Sequence, residues 1–180
     1  MVVMRIRIIA AVIAAIGLSA LGLTAASAAP AATSPPPATT AGLRVWIGIG
    51  PGESAAGSTY YPLEFTNVSG HTVTIRGFPG VSAVNASGQL GSPAGWEHTT
   101  APVTVTLANG ATAHTTLQIT DVYNFGGLKV AAATALRIYP PNQKTPTYID
   151  FSFGALVKKG PVFLHVGPIT PGTGIPGGSS

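Results

Sequence analysis

Thr59-Tyr60-Tyr61-Pro62-Leu63-Glu64-Phe65-Thr66-Asn67-Val68-Ser69-Gly70-His71-Thr72-Val73-Thr74-Ile75-Arg76 reads as two extended segments joined by a polar corner. Tyr61, Leu63 and Phe65 recur with a period of two, which puts them on one side of a strand over residues 59–68. Val73 and Ile75 repeat the pattern over residues 71–76. The corner Asn67-Val68-Ser69-Gly70 has the composition of a turn. Pro62 has no amide hydrogen to give to a ladder, so it predicts an edge position or a bulge.

The same alternation extends in both directions. Residues 42–49 place Leu43, Val45, Ile47 and Ile49 on one face and Arg44 and Trp46 on the other. Residues 50–58 read as a loop. Gly77-Phe78-Pro79-Gly80 predicts a type II turn, with Pro at the first central position and Gly accepting positive φ at the second. Short strands follow at 81–85 and 89–90. A loop over 91–101 carries Trp96, Glu97 and His98.

Residues 102–107 set Val103, Val105 and Leu107 on one side, and 111–119 set Ala111, Ala113, Leu117 and Ile119 with Thr115. A two-residue hairpin at Asn109-Gly110 would oppose the two apolar faces, because a slip of one residue inverts every side chain. A three-residue loop with Gly110 left-handed, or a corner between two sheets, keeps the faces together. Leu136 and Ile138 point inward over 134–139, Thr147, Ile149 and Phe151 over 145–153, and Val162, Leu164 and Val166 over 161–166. The stretch 128–136 has the composition for one helical turn. About eight short strands without an amphipathic helix make an all-β, immunoglobulin-like antiparallel β-sandwich the simplest expectation.

Charged residues are 8% of the chain, against about 25% in an average soluble protein. The net charge is +4, yet Lys158-Lys159 is the only adjacent basic pair. No basic cluster lies along the chain to displace counterions from phosphates, so nucleic acid is not an expected partner. There are no cysteines, which excludes a disulfide, a thiol nucleophile, a thiolate metal site and an acylated cysteine anchor.

Arg5 and Arg7 precede an apolar run over 8–23, and Ala26-Ser27-Ala28 follows as a small-x-small site. This is the pattern of a cleavable signal over 1–28, which predicts a secreted or cell-envelope location. A membrane enters only if that segment is retained. Residues 29–41, rich in Pro, Thr and Ala, read as a linker. Residues 42–167 are the expected domain, and 168–180 a Pro/Gly-rich tail.

Several motifs in order carry a resemblance: Tyr60-Tyr61-Pro62-Leu63-Glu64-Phe65-Thr66-Asn67-Val68-Ser69-Gly70, then Thr74-Ile75-Arg76-Gly77-Phe78-Pro79-Gly80-Val81. Gly88-Gln89-Leu90-Gly91, Leu107-Ala108-Asn109-Gly110 and Leu136-Arg137-Ile138-Tyr139-Pro140-Pro141 complete the set. Over about residues 42–166 the chain resembles the domain-of-unknown-function family four-two-three-two of secreted and lipid-anchored actinobacterial proteins. The resemblance implies an extracytoplasmic β-sandwich with no established activity. Its usual cysteine just before the Thr-Leu-Arg-Gly-Tyr-Pro-Gly motif falls here on Val73. A partner cysteine would fall near Leu128 or Lys129, and the usual Pro of the later corner is Asn109.

The residues themselves support no catalytic group, metal site or cofactor. Glu53, Glu64, Glu97, Asp121 and Asp150 sit on separate elements, with no pair marked as converging on a sugar bond. No Gly-x-Ser-x-Gly is present, and Gly50-Pro51-Gly52 lacks the Lys of a phosphate loop. Trp46, Trp96, Glu97 and His98 are the candidate ligand-binding residues, because an exposed Trp stacks on sugars or anchors a protein. The expected function is a non-catalytic module binding an extracellular protein, glycan or small ligand. A hydrolase built from Glu97, His98 and Asp121 is the alternative, and metal handling by His114 and His165 is a third reading. Asn67-Val68-Ser69 and Asn85-Ala86-Ser87 match glycosylation sequons, but turn chemistry accounts for both.

Overall fold

A computed structural model describes residues 33–48, 53–55 and 57–175, and the described residues from Ser34 onward belong to one compact unit. Residues 1–28, expected to be a signal, together with residues 29–32, Ile49, Gly50-Pro51-Gly52, Ala56 and residues 176–180, lie outside the described residues. Among the described residues, no helix is long and apolar enough to cross a membrane.

The strands are β1 Leu43–Ile47, β2 Glu53–Ala55, β3 Ser58–Asn67, β4 Val73–Ile75, β5 Gly80–Asn85, β6 Gly88–Leu90 and β7 Gly95–Trp96. After them come β8 Val105–Leu107, β9 Thr112–Thr120, β10 Val130–Tyr139, β11 Thr147–Leu156, β12 Leu164–Val166 and β13 Thr170–Pro171. The first sheet runs β1-β3-β9-β12-β7, with β2 on β3 and β13 on β9; the second runs β11-β10-β5-β6; β4 and β8 form a pair. All strand pairs are antiparallel except β7 with β12. The chain is thus an all-β sandwich.

The period-two reading holds wherever a ladder fixes the backbone. Leu63, Phe65, Ala113, Leu117, Leu164 and Val166 from the first sheet meet Val81, Ala83, Ala133, Leu136 and Ile138 from the second in one buried core. Tyr61 meets Phe151 across the layers, edge to face at 5.0 Å. Where the ladder is absent the alternation fails. Val103 and Val162 precede β8 and β12 and stand exposed, and Phe163 takes the core position instead. Gly91 makes room for that ring, since a Cβ there would meet it.

Pro62 lies within β3, paired with Thr116 of β9, rather than on an edge or bulge. Its carbonyl accepts from Gly48 N at 2.9 Å, so its missing N–H faces the side where β1 has ended. Gly77-Phe78-Pro79-Gly80 is not the type II turn: Gly80 begins β5 opposite Tyr139, and Gly77 is the residue with positive φ (113°). Residues 130–136 are strand, not helix, because β5 and β11 flank that strand and pairing outweighs alanine's helix propensity.

Between β8 and β9 the corner is realised, not the hairpin. β8 pairs with β4 and β9 with β3, while Gly110 is left-handed (φ 84°). Asn67 ties this corner together. Its Nδ2 donates to His71 O (2.8 Å) and Leu107 O (2.9 Å), and its Oδ1 accepts from Ser69 N and Oγ. Asn109 Oδ1 accepts from Gly70 N at 2.9 Å, joining the two turns. Ser87 N likewise donates to Asn85 Oδ1, so both sequon asparagines serve turns.

Residues on either side of the expected domain pack against it. Pro37 bridges Thr74, with Ala38 N donating to Thr74 O (2.7 Å) and Thr74 N to Pro36 O (2.8 Å). Pro168 and Ile169 are buried, and β13 pairs with β9. Val73 is buried opposite Leu107, whereas Leu128 and Lys129 stand exposed in the segment before β10.

Candidate functional site

β7 is only two residues long, but it closes one edge of the first sheet and sorts three candidate residues. Gly95 pairs with His165 and Trp96 with Val166, so Trp96 shares the inward side of Val166, and Glu97 turns to the outward side with His165. Glu97 N donates to Val166 O at 2.9 Å and holds this alternation one residue further. A Cβ on Gly95 would stand 3.0 Å from the His165 ring, so the glycine leaves the imidazole its place.

On the inward side the aromatic groups form a cluster at the rim. Trp96 stacks on Phe78 with centroids 5.3 Å apart and planes at 13°. His98 lies 4.9 Å from Phe78 and 6.3 Å from Trp96. Trp96 nevertheless keeps 54% of its surface exposed. An indole backed by a second ring, with much of its surface open, has lost little freedom to lose again on binding.

On the outward side Glu97 Oε1 lies 3.8 Å from His165 Nε2, at a cleft of about 350 Å³. Tyr60, Thr99, Thr100, Thr116 and Gln118 complete much of its wall. The lining is therefore rich in neutral hydroxyl and amide groups, with one carboxylate–imidazole pair. His165 Nδ1 is buried and has no hydrogen-bond partner among the described residues.

Of the sequence candidates, the structure brings Trp96 and His98 together on one side of β7 and sets Glu97 on the other. Trp46 joins neither group. It lies on β1 and donates from Nε1 to Thr66 Oγ1 at 3.1 Å. Asp121 is also elsewhere: its Oδ1 caps a 3-10 turn over Val122–Phe125 by accepting from Tyr123 N, beside a separate cleft of about 410 Å³. Glu97, His98 and Asp121 do not form one constellation.

His114 and His165 share a face but do not meet. His165 pairs with Gln118, four residues along β9 from His114, a separation of about 14 Å at strand rise. His114 instead bonds through Nδ1 to Gly172 O at 2.9 Å. Among the described residues, no three His, Asp or Glu side chains are grouped to hold a metal ion.

Sequence reasoning missed Phe78, taken as a turn residue, and the wall formed by Tyr60, Thr116 and Gln118. Each of those three is an outward position of an alternating strand, which is legible; that β3, β9 and β12 lie side by side is not.

A different stretch of the outward face is covered by the chain itself. Residues 172–175 cross over β3 and β9, and Gly174 N donates to Glu64 Oε1 at 2.8 Å. Glu64 is fully covered, and its Oε2 has no partner among the described residues. Burial pushes its carboxyl above the ordinary range; the Gly174 bond and the nearby His114 pull it partly back.

No curated protein and no solved structure matched this chain. The family described as Domain of unknown function (DUF4232) matches residues 38–170, which span the core, the corner at Asn67 and both sides of β7. The chain belongs to that family.

Proposed function

We propose that this protein is a non-catalytic, extracytoplasmic binding module of immunoglobulin-like type that takes a glycan at the β7 rim. The observation that carries the reading is the half-exposed Trp96 ring held flat against Phe78. Sugar faces present C–H groups that stack on such a ring, while their hydroxyls need neutral donors and acceptors. The threonines, Tyr60 and Gln118 on the other side of the same short strand supply these. The basic, apolar and small-residue sequence of residues 1–28 supports delivery outside the cytoplasm.

The chain has two tryptophans, so Trp46→Phe leaves Trp96 as the only indole reporter. Titration of that variant with cell-wall glycan fragments is expected to shift its fluorescence, and Trp96→Ala is expected to weaken binding about tenfold or more. Glycan binding that survives Trp96→Ala unchanged, or no binding by any fragment, refutes the glycan reading. N-terminal sequencing of the exported chain is expected to begin at Ala29; recovery of the chain in the cytosol refutes the location.

A further inference from the structure

Lysines scattered over two loops meet at one end of the sandwich. Lys129 precedes β10, and Lys158 and Lys159 follow β11. The loops are locked: Val157 N donates to Lys129 O at 2.9 Å, and Gly160 N donates to Ser92 Oγ at 3.2 Å. Ser92 Oγ in turn donates to Gly160 O at 3.0 Å. The three lysines border a notch of about 320 Å³ that no carboxylate lines. Among the described residues, none of them is in an ion pair.

The notch is apolar between its cations. Leu128, 47% exposed, and Pro161 line it beside the lysines. A free phosphate or a nucleic-acid backbone would use the ammonium groups and leave these aliphatic side chains in water. An anionic bilayer uses both: lipid phosphates meet the lysines, and the aliphatic groups enter the headgroup layer. We propose that this end of the sandwich docks on an anionic lipid surface through Lys129, Lys158 and Lys159, with Leu128 inserted between the headgroups.

The test uses residues 29–180, which contain the whole compact unit, sedimented with phosphatidylglycerol-rich or purely phosphatidylcholine vesicles. Binding is expected with the anionic vesicles alone. Each Lys→Glu change is expected to weaken it at least about fivefold, and the triple change roughly a hundredfold or more. Salt that shortens the Debye length from about 10 Å to about 3 Å should release the protein. Leu128→Ser should also weaken vesicle binding several-fold, with unchanged thermal unfolding because the side chain is exposed. Equal binding to neutral vesicles, no vesicle binding, or a triple variant that binds as before overturns the proposal. So does binding to inorganic phosphate or a single-stranded oligonucleotide, untouched by Leu128→Ser, when vesicles fail.

Discussion

Asn67 uses its side-chain amide on both sides, bonding His71 O, Leu107 O and Ser69, while buried at the meeting point of β3 and the β8–β9 corner. Asn67→Ala leaves these groups without their partner, and the expected loss is about 3 kcal/mol in denaturant unfolding. Glu64 is a different kind of buried polar residue, because among the described residues only one of its oxygens is bonded. Its carboxyl is raised, so the folded state holds its proton more tightly than the unfolded chain does. The stability this gives is complete below the ordinary carboxylate range and is lost as pH rises through the raised value. Glu64→Gln is therefore expected to remove that decline from the stability–pH curve and to leave the protein no less stable at neutral pH. His114 faces the same carboxyl from β9, so the two curves differ by Glu64 together with its interaction with His114.

Among the elements, the strap at 172–175 has the most specific fit. A Cβ on Gly174 would come within 2.6 Å of Pro62 Cβ and 2.7 Å of His114 Cδ2, so only glycine lets the chain lie this close. Gly174→Val is expected to undock the strap as fully as truncation after Pro171. Both should lower the unfolding midpoint, return the Glu64 carboxyl toward its ordinary value, and leave the far-ultraviolet circular dichroism unchanged. A Gly174→Val protein with wild-type stability and titration would show that this crossing contributes nothing. β7 makes the complementary point: two residues suffice to send Trp96 and Glu97 to opposite sides because alternation is obligatory once one pair is fixed.

The whole chain has no cysteine, so its two sheets hold together without a covalent cross-link. Leu136 is fully buried at the centre of the second sheet, and Leu136→Ala is expected to cost about 3 kcal/mol through lost contacts and the cavity left behind. Tyr148, 60% exposed on β11, is the control: Tyr148→Ala should change stability by no more than about 0.5 kcal/mol. Equal losses from the two would mean that the layer between the sheets is not the source of stability.

The period-two runs were enough to identify the strands at Leu43, Leu63, Val73, Val81, Val105, Ala113, Leu136 and Ile149, because alternation is a local property of an extended chain. The absence of thiols and of any phosphate loop was equally legible, being a matter of composition. Partnership was not. The sequence left a hairpin and a corner equally open at Ala108-Asn109-Gly110, and only the pairing of β8 with β4 decided between them. It also took Gly77-Phe78-Pro79-Gly80 for a local turn, whereas strand pairing at Tyr139 governs Gly80. Glu97 beside His165, Phe78 under Trp96 and Lys129 beside Lys158 arise between segments far apart in the chain. Those contacts depend on which strands become neighbours, and that is settled by the burial of all the apolar faces at once.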